Sequence, residues 1–349
     1  MARRAGTCFA ALSRVCPLEI ALKPKTQSPT RPRQDARDRT EFQEVHVNTL
    51  RLDSPLPFRL FTRIEGEYLL YRREDLPFTL TQRNALLENR IEVLFVSGDE
   101  VDLYWNYLRG GIAGILDRKD IPLGEQSNLF YESTSELTRQ ILSGPICTDS
   151  VSTARVLVSE AVRFQHSGKN ALHALMSDMK THPSIYHHSL NVCQYGLALA
   201  RVVGFSQQDL EAFGLGLLFQ DVGMLLIPDG IVYKDGPLSF EEWNSLKRHP
   251  QMSLEQLEQV EGVSDLSREV VLGHHERLDG SGYPRGLRED EIPALVRIAS
   301  IVDVFTSLTT SRPFRSANTT FEALRIMSQD LKGQLDASLF QVFIRILGT

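Results

Sequence analysis

Cysteine is scarce: Cys8, Cys16, Cys147 and Cys193 are the only four in 349 residues. They are too scattered for a Cys-x-x-Cys zinc pair or a disulfide framework, so they read as reduced, structurally incidental thiols. A strong charge of either sign is missing too. The formal net charge is −6 and the isoelectric point is near 5.9; the dense basic face that displaces counterions from duplex nucleic acid is absent, and duplex nucleic acid is excluded as a partner. No apolar run approaches the ~20 residues needed to cross a bilayer, so no transmembrane span is expected. Arg3 and Arg4 precede a mildly apolar stretch from Thr7 to Leu22, but Arg14 interrupts it and no small-residue cleavage site follows. A signal peptide is not expected, and the expected location is cytoplasmic.

What is present is the composition of a globular protein, 42% hydrophobic and 23% charged with 17 Phe and 9 Tyr, in a chain long enough for two domains. The first 40 residues read as a disordered leader, with Pro24, Pro29 and Pro32 among Lys, Arg, Gln, Ser and Thr. Residues 41–146 read as a small α/β module with a regulatory or sensing role. Short strands run through Phe58 to Ile64 and Tyr68 to Tyr71, joined at Glu65-Gly66; a helix starts at Thr79 or Thr81; a strand spans Ile91 to Val96; and Ser97-Gly98-Asp99 makes a turn. From 147 to 349 the apolar spacing is helical. Leu190, Cys193, Leu197 and Arg201 share one helix side, and Ile298, Ile301, Val302, Phe305 and Leu308 form a stripe on another. The expected fold class is α+β, with the α/β module followed by an all-helical domain.

Five features of the helical half can carry chemistry: His188, Asp221, His249, the pair His274-His275, and Asp303. One histidine on a helix is usually a hydrogen-bonded or surface residue, because ligation needs several convergent donors. Asp303 is more telling. Flanked by Ile301, Val302, Val304 and Phe305, its carboxylate needs a cation or strong donor, of which Arg297 is one candidate. After the histidine pair comes Asp279-Gly280-Ser281-Gly282-Tyr283-Pro284, where two glycines permit unusual backbone angles and a proline fixes the exit. Gly and Pro mark turns everywhere, so the loop alone is also an ordinary turn.

Taken in order, Ile227-Pro228-Asp229, Leu238-Ser239, Glu241-Glu242-Trp243, His249-Pro250, His274-His275-Glu276-Arg277, the loop 279–284, Arg297-Ile298, Asp303-Val304-Phe305, Arg312-Pro313-Phe314-Arg315 and Leu335-Asp336 resemble the HD-GYP branch of the HD-domain phosphohydrolases. The resemblance covers somewhat under half the chain. It implies an all-helical domain, hydrolysis of cyclic-di-GMP, and a divalent metal centre, iron or manganese, of one or two ions. The chemistry implied is two-metal activation of water. Carried over by position, Asp221 is the bridging, catalytic carboxylate. His249, His274 and His275 complete one metal position, and His188 and Asp303 serve the other. Gly282 and Tyr283 shape the nucleotide edge, and Arg312 and Arg315 approach substrate phosphates. A cyclic dinucleotide is the implied partner; a signalling protein and a homodimer through the helices are further partners the reading leaves open.

The pattern is broken at specific points. Gln220-Asp221 stands where the family has His-Asp, and an amide oxygen is a weaker metal ligand than imidazole. Met224 replaces a lysine that faces substrate phosphate, Thr306 replaces a second aspartate, and Ser184 replaces the glutamate of trinuclear members. The losses fall on the side of His188 and Asp303. Two readings stand: a phosphodiesterase with reduced or altered activity, or an inactive domain that binds nucleotide or a protein partner.

Overall fold

The structure, a computed structural model, describes residues 42–118, 121–168, 170–179, 184–311 and 316–348. The expected leader, Arg312 and Arg315 lie outside the described residues. The described residues divide into two compact units, one of 138–166 and 179–348, the other of 42–137 and 167–178.

The second of these units contains a four-stranded sheet and a two-stranded one. In chain order the strands are β1 (Phe42–His46), β2 (Ser54–Pro55), β3 (Leu60–Ile64), β4 (Glu67–Arg72), β5 (Pro77–Phe78) and β6 (Val93–Ser97). The larger sheet has the order β1-β6-β3-β4, and β2 pairs with β5. The β3–β4 hairpin turns at Glu65-Gly66, both with positive φ (51° and 93°), the backbone a two-residue type I′ turn demands. One sheet face buries Val45, Leu94 and Val96. The other carries an aromatic cluster in which Phe42 stacks on Tyr68 at 3.8 Å and Tyr68 meets Phe95 edge-on at 5.0 Å. Thr79 caps helix α1 (Leu80–Glu88) through a capping box with Gln82. Helix α2 (Val101–Ile115) buries Tyr104, Trp105, Leu108 and Ile112. The alternation of strands and helices in the sequence is real, but every strand pair among the described residues is antiparallel, so the unit is α+β rather than a βαβ module. Helix also begins earlier than residue 147, in α2 and in α3 (Leu123–Ser143).

The other helices are α4 (Thr148–His166), α5 (Ala171–Asp178), α6 (Ile185–Val203), α7 (Gln207–Phe219), α8 (Asp229–Val232), α9 (Phe240–Leu246), α10 (His249–Glu258), α11 (Asp265–Gly273), α12 (Ala294–Thr309), α13 (Thr320–Asp330) and α14 (Ala337–Gly348). Helix α7 packs against α4, α6 and α11, and α12 packs on α6. Both sequence stripes face this core: Leu190, Cys193 and Leu197 are fully buried, as are Ile298, Ile301 and Val302. No helix among the described residues is long and apolar enough to cross a membrane.

Candidate metal centre

The helix ends of the larger unit deliver its polar side chains to one place. His188 sits in the first turn of α6, whose N-terminus is capped by the Ser184 hydroxyl accepting from the His187 amide. Asp221 follows Gln220 at the end of α7, and the turn there is pinned by Ser253 of α10. The Ser253 hydroxyl donates to the Gln220 carbonyl at 2.7 Å and accepts from the Gly223 amide at 2.8 Å. His249 opens α10, His274 caps the C-terminus of α11, and His275 comes next. Asp303 projects from the middle of α12. All six sequence-predicted metal residues are brought together, each at most 5% exposed.

Their hydrogen bonds determine what they can hold. The Nδ1 atoms of His249 and His274 lie 2.8 Å from the Leu246 and Val271 carbonyls. A carbonyl only accepts, so each Nδ1 carries a proton and each ring turns its Nε2 inward, the atom left to act as a ligand. These two Nε2 atoms are 3.3 Å apart, and His275 Nε2 is 3.1 Å from that of His249. Asp221 Oδ1 lies 3.2 Å from His249 Nε2 and 3.5 Å from His274 Nε2, yet it is buried without a hydrogen bond. Lone pairs and a carboxylate converging at such distances repel unless a cation lies among them. Asp221, His249, His274 and His275 each offer one donor atom within 4.8 Å of the others; two donor types, imidazole and carboxylate, suit a divalent transition ion.

The second group, His188, Asp221 and Asp303, satisfies the same distance test but is chemically different. His188 Nε2 lies 3.3 Å from Asp221 Oδ2 and 3.0 Å from Asp303 Oδ1. Gln220, fully buried, donates from Nε2 to the same two oxygens at 3.3 Å each. Turning that amide over would set its oxygen against two carboxylates, so the donor assignment follows from charge. Burial opposes protonation of His188, but the hydrogen-bonded carboxylates of Asp221 and Asp303 outweigh it and push its pKa up to about 9. Burial raises the Asp221 pKa, but His188 at its other oxygen and the neighbouring His249 and His274 imidazoles outweigh it and hold it well below the usual carboxylate value. Burial, with His274, His249 and Arg277 adding to it, drives His275 well below the ordinary histidine value, which keeps it a neutral ligand. Arg297, considered above as a partner for Asp303, pairs with Asp336 at 3.2 Å and Asp290 at 3.4 Å instead.

The loop after the histidines is built onto Glu276. This buried carboxylate accepts the Arg285 amide at 2.8 Å and the Leu287 amide at 2.9 Å. A side chain at Gly282 would meet the Arg277 nitrogen at 2.4 Å and the His275 carbonyl at 2.6 Å. Tyr283 then lies against His275, ring centroids 4.6 Å apart, and meets Trp243 edge-on at 6.1 Å. Met224 belongs to an apolar cluster with Ile185, Ile227, Val232 and Leu246. The Thr306 hydroxyl donates to the Val302 carbonyl at 2.7 Å. Sequence reasoning assigned no role to Ser253 or Glu276. A serine in an amphipathic helix carries no signal, whereas Glu276 does: it is an acidic residue directly after two buried imidazoles.

Residues 170–339, just under half of the chain, match the family model described as HD domain. Curated proteins similar to this stretch carry their own activities. A cyclic di-GMP phosphodiesterase of Pseudomonas aeruginosa is 35% identical over 179 residues, 51% of this chain and 43% of the relative. A 3′3′-cGAMP-specific phosphodiesterase of Vibrio cholerae is 38% identical over 161 residues, 46% of this chain and 37% of the relative. This chain thus spans well under two thirds of the curated relatives it matches. An HDG"Y"P protein from Bdellovibrio bacteriovorus superposes with a TM-score of 0.70 at 22% identity, over 88% of this chain and 100% of that one, which establishes a shared fold.

Proposed function

We propose that the HD domain hydrolyses a phosphodiester bond of a cyclic dinucleotide, cyclic-di-GMP first, at a divalent ion held by Asp221, His249, His274 and His275. The position of His188 and Asp303 is weak. The observation that carries this reading is the convergence of three imidazole Nε2 atoms and an unpartnered carboxylate oxygen in a buried site. The donor set suits a divalent transition ion, iron or manganese on the resemblance given above, and such an ion would supply water activation and neutralise charge developing on the phosphate. The chain's own residues do the positioning. Asp221 serves as the catalytic carboxylate reaching both positions, while Gly282 and Tyr283 set the wall where a nucleotide base would lie. Arg312 and Arg315 would meet the phosphates through charge-assisted hydrogen bonds. A cyclic dinucleotide substrate would place this work in the cytoplasm.

The test is metal analysis after anaerobic purification, followed by turnover of cyclic-di-GMP with added iron or manganese, next to equilibrium binding of the same nucleotide. About one ion per chain is expected, with turnover abolished by Asp221→Ala. Unchanged metal content in His274→Ala would sink the assignment. A second reading, nucleotide binding without turnover, is favoured by one observation: Gln220 and His188 already donate to the oxygens that a second ion would need. Tight binding without turnover, with activity gained on Gln220→His, would decide for it. Met224→Lys is a poor companion, since it puts an ammonium into an apolar cluster.

A further inference from the structure

The sheet-bearing unit contains a cavity of about 240 Å³ whose wall includes Arg51, Arg83, Arg118, Glu125 and Gly114. Among the described residues, the Arg51 and Arg83 guanidiniums and the Glu125 carboxylate line it, in a chain whose net charge is −6. Arg83 is matched, its Nη1 lying 3.0 Å from Glu125 Oε1. Arg51 is not matched by any carboxylate among the described residues. Its guanidinium lies 4.1 Å over the Tyr107 ring, its amide donates to the Tyr107 hydroxyl at 2.6 Å, and its Nε is buried without a hydrogen bond.

The Arg51 side chain is also held in place. A Cβ at Gly111 of α2 would come within 3.3 Å of Arg51 Nε, so the absence of a side chain there makes the seat for the guanidinium. A cation seated between a ring and a helix backbone, partly desolvated and lacking an acid, is costly unless an anion completes it. A guanidinium edge matches the two oxygens of a carboxylate or phosphate. The volume lies below the roughly 300–1,000 Å³ of pockets for drug-sized ligands, which is too small for a cyclic dinucleotide. We infer that this cavity is a binding site for a small organic anion, a carboxylate or phosphate monoester, recognised by Arg51. The inference is independent of the reading of the HD domain.

Calorimetric titration of the full chain with inorganic phosphate and with succinate, at ionic strength fixed with chloride, tests it. Parallel titrations of Asp221→Ala remove any contribution from the HD site. One or both anions should saturate a single site, and the one that does names the source of the charge. Arg51→Gln should weaken that binding about tenfold or more, while Arg63→Gln, at an exposed arginine, leaves it unchanged. Gly114→Leu keeps every charge and fills open space, since a Cβ there meets nothing within 4 Å; it also favours helix. It should block binding too, and it decides the matter if Arg51→Gln fails to fold. Absence of saturation by either anion, or wild-type affinity in Gly114→Leu, overturns the inference.

Discussion

Gln220, where the resemblance leads one to expect an imidazole, does the opposite of ligand chemistry. Its amide N–H groups reach Asp221 Oδ2 and Asp303 Oδ1, so it stabilises the two carboxylates with donors rather than joining them around an ion. Gln220→His restores a lone pair, and native mass spectrometry should show bound ions rising from about one to about two per chain. An unchanged count would place the weakness of the second position elsewhere. Gln220→Leu strips donors from two buried carboxylates and should cost about 1–3 kcal/mol in urea unfolding. The presence of a glutamine beside Asp221 was readable in the sequence. The direction of the amide was not, because it is set by two carboxylates that arrive from α7 and α12. Met224 teaches the same lesson: that it carries no charge showed in the sequence, whereas its place in an apolar cluster depends on Ile185 and Leu246, far away along the chain.

At the scale of elements, local chemistry was legible and long-range pairing was not. The Thr79 cap and the Glu65-Gly66 hairpin each depend on a few neighbouring residues, and both formed as the sequence predicts. The antiparallel order of the sheet depends on β6 inserting between β1 and β3, which no local pattern specifies. Two elements near the centre invite tests. In the loop, a methyl at Gly282 would strike only backbone atoms, so Gly282→Ala should destabilise by about 1–3 kcal/mol by overpacking and lower metal content with it. Just before α14, Asp336 Oδ1 accepts the Ser338 amide at 3.0 Å and the Leu339 amide at 3.1 Å, while Oδ2 pairs with Arg297 at 3.2 Å. Burial raises the Asp336 pKa, but these bonds outweigh it and the folded value lies below 3.8. A depressed folded pKa means stabilisation present above the unfolded value and lost as pH falls through the folded one. Asp336→Ala should therefore cost about 1–2 kcal/mol at pH 7, and thermal melts should show the gap to wild type closing below pH 4.

For the whole molecule, the order of motifs along the chain identified the HD domain because each motif is local. The assembly of His188, Asp221, His249, His274, His275 and Asp303 from five helices into one site needed the fold. That assembly makes ion binding a folding term, since the unfolded chain cannot bring these donors together. At a free ion concentration 100-fold above the dissociation constant, binding adds about 2.7 kcal/mol. For a domain of ~150–250 residues, each kcal/mol moves the melting temperature by about 2–4 °C. Chelation should therefore lower the melting temperature of the helical unit by roughly 5–10 °C on these coefficients, read by calorimetry. His249→Ala should melt low from the start and respond little to chelator. The chelator response separates a ligand from a structural histidine: removing His249 as mere packing would lower the melt but leave that response intact, whereas removing a ligand abolishes it.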